Sequence, residues 1–291
     1  MKQYLQLLRP QHWVKNLLVF LPLVTSRSLF DLSLFARVCA GAAVFCLLSS
    51  VVYVCNDIMD ADSDRCHPVK CKRPVASGAV TANSAKGLVA VLLGVIIAAG
   101  ALTFDGNIAA WAVLALYFGL NIAYSARLKH VAIADVFVLA SGYALRVYFC
   151  SAITGIEISK WLFLTLTVGA LFMALGKRRG EMRIQDGGCR TRKVLALYSD
   201  AFLDKTMYIC EAIAVVFYSL WSIDSVTVTQ SNSNNIIFTV PFVLVIFMRY
   251  NLLLERDTDG DPMNMLMNDK PLLIICGVFA AAFVALLYAQ I

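Results

Sequence analysis

The sequence predicts an all-α, polytopic membrane protein with about nine transmembrane helices, and three observations predict it. Hydrophobic residues make up 60% of the 291 and charged residues only 15%, against roughly 25% charged in a soluble domain. Apolar runs of about 20 residues recur along the whole chain, each long enough to cross a hydrocarbon core of ~30 Å. No polar stretch between them is long enough to bury a core of its own, so residues 1–291 read as a single integral membrane domain.

Spans are expected at 14–30, 35–57, 82–103, 107–125, 133–152, 158–176, 203–221, 236–254 and 271–290. The start, MKQYLQLLRPQHWVK, is polar and basic and has no small-residue cleavage site after a short apolar run, so no cleavable signal peptide is expected. The first span is the weakest, because its apolar core, NLLVFLPLV, is short and contains Pro22. The second runs into NDIMDADSD, and FDGN joins the third to the fourth. YSARLKHVAIAD marks the junction of the fourth and fifth, and the sixth ends in GKRRGE. Polar SIDSVTVTQSNSNN follows the seventh, and NDKPLL, with Asp269 and Lys270, opens the ninth. Cys39, Cys46, Cys150, Cys210 and Cys276 fall inside spans and read as small buried hydrophobes, not as a disulfide framework.

Charge sets the orientation. Of the 25 Lys and Arg, all but Arg27, Arg37, Arg146 and Lys160 fall on the N-terminus and the even-numbered connections. Positive residues are retained on the cytoplasmic side. The N-terminus is therefore expected in the cytoplasm and the C-terminus outside, across the inner (cytoplasmic) membrane. The net charge of +6 is mostly this bias and calls for no nucleic acid.

Residues 53–78, YVCNDIMDADSDRCHPVKCKRPVASG, gather the chemistry. Asn56, Asp60 and Asp64 are four apart and Asp57 lies three before Asp60, so on a helix all four project onto one face. The row covers about 12 Å at 1.5 Å per residue. Stacked carboxylates repel one another unless a cation sits among them, and Asp and Asn oxygens suit Mg²⁺, which substrate phosphates usually complete. The plain alternative is a solvated acidic helix end, which four such groups in nine residues of a sparsely charged chain argue against. A calcium loop is rejected, since its sixth and twelfth positions hold Arg65 and Cys71 in place of Gly and Glu. Cys66, His67 and Cys71 lack an evident fourth zinc ligand.

Lys70, Lys72 and Arg73 follow at once. Acids that hold a metal beside bases that hold phosphate oxygens make a diphosphate site; topology alone is the competing account of any single lysine. Arg9, Lys15 and Asn16, then Tyr124, Ser125, Lys129 and Asp135, then Lys177, Arg178 and Glu181 add to the same membrane face. Arg146 lies well inside span five, where an unpaired cation is costly. A lipid phosphate, Glu157, neighbouring carbonyls and snorkelling all remain open for it.

These residues resemble a known family. NDIMDADSD fits the N-D-x-x-D-x-x-x-D motif of the UbiA-type intramembrane prenyltransferase superfamily. LLRPQHWVKNLLVF, ADSDRCHPVKCKRPVASG, YSARLKHVAIADVFVLASGYALR and LFMALGKRRGE look like its decaprenyl-phosphate phosphoribosyltransferase branch, from residue 7 to about 275. The chain departs from the branch at Arg179-Gly180, where Tyr-Ala is usual, and at Cys71, where an Arg is usual.

The resemblance implies nine helices in a ring around a central cavity. It implies transfer of 5-phosphoribose from 5-phosphoribosyl 1-diphosphate to a polyprenyl phosphate, with Mg²⁺ and release of diphosphate. Asn56, Asp57, Asp60 and Asp64 are then the expected metal ligands, and Asp57, Asp60 and Lys129 the catalytic set. Lys15, Asn16, Lys70, Lys72, Arg73, Tyr124, Lys129, Asp135, Lys177, Arg178 and Glu181 are expected at the substrates. Prenyl-diphosphate users carry a second Asp-rich motif near the end of span six, where this chain has Lys177 and Arg178; bases there suit a donor with a separate monophosphate. An aromatic prenyltransferase, a transporter of anions or lipid-linked sugars and a non-catalytic scaffold are the competing functions. The bilayer and the two substrates are the expected partners, with a homo-oligomer left open.

Overall fold

The computed structural model describes residues 2–66, 70–185, 193–224, 235–256 and 260–288, and every regular element among them is helical. Short helices α1 (Lys2–Leu8) and α2 (Leu21–Thr25) open the chain. The next are α3 (Leu32–Met59), the short α4 (Ala61–Arg65), α5 (Ala82–Thr103), α6 (Ile108–Ala126) and α7 (Ala134–Thr154). Then come α8 (Lys160–Gln185), α9 (Asp200–Ile223), α10 (Val240–Leu254), the short α11 (Pro262–Asn268) and α12 (Lys270–Tyr288). Eight of the described segments are long and apolar enough to cross a membrane, α3, α5 to α9, α12 and the stretch Asn235–Leu254 that ends in α10.

Side-chain caps fix where several begin. Asp31 accepts from Ser33 N and Leu34 N at α3, Thr81 from Ser84 N at α5, Asn107 from Ala110 N at α6 and Ser199 from Phe202 N at α9. Each satisfies amide donors that the first turn leaves without an intrahelical partner. Asp269 does the same for α12, accepting from Leu272 N at 2.8 Å while Arg249 donates to both its oxygens. The NDKPLL acid is thus engaged as a cap and ion pair.

The first expected span, 14–30, is not one membrane-length α-helix. Pro10–Phe20 winds as a 3-10 helix, α2 adds five residues, and the chain turns at Arg27 with φ 59°. An eleven-residue 3-10 run is unusual, and bonds to α3 hold this one. Trp13 Nε1 donates to Ser50 Oγ (2.9 Å), and Ser50 Oγ donates to the Leu8 carbonyl (2.8 Å). Asn16 Nδ2 reaches Cys46 Sγ (3.1 Å) and Ser49 Oγ (3.3 Å). The sixth span departs the other way: α8 continues to Gln185, so GKRRGE is helical and Arg178 and Glu181 share a face.

The chain packs as two compact units. The first, Met1–Leu23 with Ser28–Lys129 and Leu145–Ile156, has α3 at its core. Phe45 of α3 meets Tyr117 and Phe149 at ring separations of 4.7 and 5.3 Å. Arg146 is buried here. Its Nε donates to Asn16 Oδ1 (2.7 Å) and its Nη2 to Tyr117 Oη (3.0 Å), and its guanidinium lies over the Phe45 and Tyr117 rings. An amide, a phenol and two ring faces together hold the cation, so Arg146 secures the 3-10 segment to the core.

The second unit comprises Val24–Arg27, His130–Ala144 and Glu157–Ile291. In it α8 packs along α9, and Phe172, Met207, Phe247 and Tyr250 form one buried cluster. Gly260 shows why a connection here is exacting. It has φ 68°, and a Cβ on it would lie 2.6 Å from the Gly176 carbonyl oxygen. That close approach brings Asp261 to Lys177, with Nζ and Oδ2 3.5 Å apart. Gly260→Ala is expected to destabilise the protein by at least about 1–2 kcal/mol from the left-handed backbone alone, read as a lower unfolding midpoint in detergent. An unchanged midpoint would show that this connection relaxes freely.

Candidate active site

The acid row sits where α3 gives way to α4. Asp60 interrupts the helical assignment at φ −95° and ψ 3°. Even so, Asp60 N bonds to Asn56 O (2.9 Å) and Asp64 N to Asp60 O (2.8 Å), so the i→i−4 ladder runs through the junction. At about 100° per residue, Asn56 and Asp60 lie roughly 40° apart and Asp57 and Asp64 roughly 20°. The row therefore divides into two neighbouring stripes, and the structure gives each its own partners.

Asn56 and Asp60 face the end of α6. Asn56 Oδ1 accepts from Ser125 Oγ, and Asp60 Oδ1 accepts from Lys129 Nζ. Donors four apart thus meet acceptors four apart. Asp57 and Asp64 face the bases. Arg9 Nη2 donates to Asp57 Oδ1 (2.5 Å), while Arg73 Nη1 donates to Asp64 Oδ2 (2.7 Å) and lies 3.4 Å from Asp57 Oδ1. The Asp57 side chain is 1% exposed, and its Oδ2 is buried without a hydrogen-bond partner. Burial lowers the Arg9 pKa from its ordinary value, and Asp57 opposes that.

Asp62 points elsewhere. Its side chain is 95% exposed and pairs with Arg65 (2.6 Å). Asp62→Asn is expected to keep the initial rate within about threefold of wild type, as for an exposed ion pair. A loss as deep as that of an Asp60 variant would show that the helical spacing does not select the working acids.

Beside Asp57 opens a cleft of about 600 Å³, lined among others by Arg9, His12, Lys70, Lys72 and Arg73. Arg9 stood in the N-terminal cluster but outside the expected site. It takes a left-handed φ of 49° and places its guanidinium 5.3 Å from the Tyr53 ring. A non-glycine residue in that region is held by its surroundings, here by Asp57 and Tyr53. No spacing rule points to it, since the bond to Asp57 spans 48 residues. Lys15 is half-buried on the 3-10 helix and Tyr124 half-buried near the end of α6. Asn16 is 2% exposed and bonded to Arg146, Cys46 and Ser49. The structure gathers it with the core network, away from the acid row's own partners. His67 lies outside the described residues.

The remaining expected residues meet in the second unit. Arg178 Nε donates to Asp135 Oδ2 (2.7 Å), and Nη1 donates to Glu181 Oε2. Arg178 and Asp135 are both 0% exposed, whereas the Lys177 side chain is 35% exposed. The two adjacent bases are thus not equivalent: Arg178 is enclosed by acids, and Lys177 stands nearer solvent. Tyr198, which no motif marks, completes the cluster. Its hydroxyl donates to Asp135 Oδ1 (2.5 Å) and accepts from Ile133 N (2.6 Å). Burial and then the Asp135 bond push its pKa up to about 12, so it stays a donor at ordinary pH.

The donor set of the acid row suits Mg²⁺. Its ligands are hard oxygens, and Asp57 Oδ2 is a buried acceptor with no hydrogen bond. Among the described residues no three of His, Cys, Asp and Glu converge into a cage. Mg²⁺ is commonly held by one or two carboxylates, with water and substrate phosphates completing the shell.

Eight helices long and apolar enough to cross a membrane define an integral membrane protein. The model of the UbiA prenyltransferase family matches residues 17–268. The chain belongs to that family, and it is a transferase. It is similar to a decaprenyl-phosphate phosphoribosyltransferase of Corynebacterium glutamicum, at 32% identity over 97% of this chain and 85% of that one. It is also similar to that of Mycolicibacterium smegmatis, at 33% over 92% and 86%. A UbiA homolog from Archaeoglobus fulgidus, solved with GPP and Mg²⁺, shares the fold with a TM-score of 0.71 over 98% of each chain, at 19% identity.

Proposed function

We propose that this chain transfers 5-phosphoribose from 5-phosphoribosyl 1-diphosphate to a decaprenyl-type polyprenyl phosphate, releasing diphosphate. The relatives of that activity support the reaction. The observation that carries the site is Asp57: one oxygen lies between Arg9 and Arg73, and the other is buried and unbonded at a cleft lined by four bases.

In this reading Asn56, Asp57, Asp60 and Asp64 would hold Mg²⁺, which would supply positive charge to a leaving diphosphate. Arg9, Lys70, Lys72 and Arg73 take diphosphate oxygens by charge-assisted hydrogen bonds. The bond from ribose C1 to the diphosphate oxygen breaks, and its electron pair leaves with diphosphate. A lipid phosphate oxygen forms the new bond to C1 through an oxocarbenium-like state, with inversion. The acceptor is already anionic, so no strong base is needed. Lys129, donating to Asp60, holds that carboxylate in place. Of the GKRRGE bases, Lys177 would meet a phosphate, since Arg178 is enclosed by Asp135 and Glu181 and Arg179 pairs with Asp200 and Asp204. The site and the N-terminus face the cytoplasm, with the C-terminus outside, in the inner membrane.

Incubating purified protein with 5-phosphoribosyl 1-diphosphate, Mg²⁺ and polyprenyl phosphate is expected to give the polyprenyl-phosphoryl-5-phosphoribose mass in the lipid extract. Transfer of a prenyl group to an aromatic acceptor, with no such lipid, would overturn this reading.

A further inference from the structure

One buried hydroxyl holds both sides of the joint that carries Arg9. Arg9 is the single residue between α1, which ends at Leu8, and the 3-10 helix that begins at Pro10. Its backbone is left-handed, at φ 49° and ψ 58°. An L-residue rarely adopts that conformation, and a following proline pushes its neighbour toward extended backbone. Local preference therefore works against this Arg9, and partners distant in the chain must hold it.

Ser50, buried on α3, ties the chain before and after it. Its Oγ donates to the Leu8 carbonyl (2.8 Å), just ahead of the joint. The same oxygen accepts from Trp13 Nε1 (2.9 Å), one 3-10 turn past Pro10. Between these ties the Arg9 carbonyl accepts from His12 N (2.9 Å) and closes the turn. Ser50, Tyr53 and Asp57 follow one another at i, i+3 and i+7 on α3, so they lie within about 60° around the helix. Ser50 seats the backbone, the Tyr53 ring lies 5.3 Å from the guanidinium, and Asp57 Oδ1 accepts from Nη2 (2.5 Å). One face of α3 thus seats Arg9 from backbone to tip, where it lines the cleft beside Lys70, Lys72 and Arg73.

We infer that Ser50 is a positioning residue for diphosphate binding, acting through Arg9 and not on the ligand. The inference rests on the proposed reading of the cleft as the diphosphate site. Without the hydroxyl, the Leu8 carbonyl and the Trp13 N–H lose their shared partner, and Pro10 draws Arg9 toward extended backbone. That change swings the side chain off its Asp57 and Tyr53 seat, and the cleft loses a fork of N–H donors. Ser49 is the neighbouring contrast. It also ties the 3-10 helix to α3, accepting from Asn16 Nδ2 (3.3 Å) and donating to the Phe45 carbonyl (2.9 Å). Asn16 belongs to the Arg146 network, however, so the Ser49 tie does not flank Arg9.

The test is a calorimetric titration of inorganic diphosphate, with Mg²⁺, into the full chain in detergent. Arg9→Ala is expected to raise the dissociation constant about tenfold or more, the effect of one charge-assisted hydrogen bond. Ser50→Ala should approach that loss. Added to Arg9→Ala it should weaken binding no further, because a residue that acts through Arg9 then has nothing left to position. Ser49→Ala should lower the unfolding midpoint and leave the constant at its wild-type value. If Ser50→Ala does not fold, Trp13→Phe carries the same comparison, since it removes the N–H, keeps a ring and should give a smaller loss. Wild-type affinity in folded Ser50→Ala, or in Trp13→Phe where that variant stands in, overturns the inference. So do losses that multiply in the double variant. An equal loss in Ser49→Ala overturns it too, for the 3-10 segment would then have loosened as a whole. Failure of the wild type to bind diphosphate with Mg²⁺ is a separate result, which overturns the proposed function and the inference with it.

Discussion

Asp60→Ala is expected to abolish transfer and leave a folded protein. Asp60 and Lys129 form a pair whose side chains are 26% and 19% exposed. Solvent screens such a pair, so losing it costs the fold only about 0–1 kcal/mol. If the carboxylate holds Mg²⁺ against the diphosphate, however, its loss removes stabilisation where negative charge builds on the leaving group. A fall of about a hundredfold or more, roughly 2.7 kcal/mol of barrier, should follow in rate. Mg²⁺-dependent binding of 5-phosphoribosyl 1-diphosphate should weaken with it, while the elution volume and unfolding midpoint hold. Retention of more than about a tenth of wild-type activity, a loss under ~1.4 kcal/mol, would remove Asp60 from the metal site. Asp57→Ala is the poorer probe. Its carboxylate is buried between Arg9 and Arg73, so its removal strands a part-buried cation and confuses stability with catalysis.

Much of this was legible before any coordinates. Spans 82–103 and 107–125 are found as α5 and α6 within a residue, because an uninterrupted apolar run has only one economical structure in lipid. The period of the acid row was legible for a similar reason: helical spacing persists through the Asp60 junction and turns Asp62 outward. The first span was not, because its irregular winding depends on Ser50, Ser49 and Arg146, which lie 33 to 130 residues away along the chain. The surroundings of Arg178 were hidden for another reason. A base next to a base reads as two phosphate ligands, but which one is enclosed depends on Asp135, 43 residues earlier. Side-chain partners at that range leave no period in a sequence.

Arg178 and Lys177 should therefore part company when each is replaced. Among the described residues Arg178 is the one base paired with the 0%-exposed Asp135 carboxylate, and it also pairs with Glu181. Removing one partner of such a pair leaves a buried charge uncompensated, which costs about 3–5 kcal/mol. Tyr198 would still donate to Asp135, but a neutral hydroxyl cannot replace a cation there. Arg178→Ala is thus expected to lower the unfolding midpoint sharply or to abolish purification of folded protein. Pairing it with Asp135→Asn should recover part of the loss, because the stranded carboxylate is then gone. Lys177→Ala gives up one ion pair of 3.5 Å to Asp261 at a half-exposed site, so its midpoint should hold. Any loss of phosphate-ligand affinity in that variant then reports binding directly. One charge-assisted hydrogen bond, roughly 1.5–3 kcal/mol, corresponds to a ten- to hundredfold weakening of 5-phosphoribosyl 1-diphosphate or polyprenyl phosphate, whichever Lys177 meets. Equal midpoints for the two variants would contradict the enclosed reading of Arg178. Unchanged affinity for both ligands in Lys177→Ala would leave that lysine to the bias of Lys and Arg toward one set of connections.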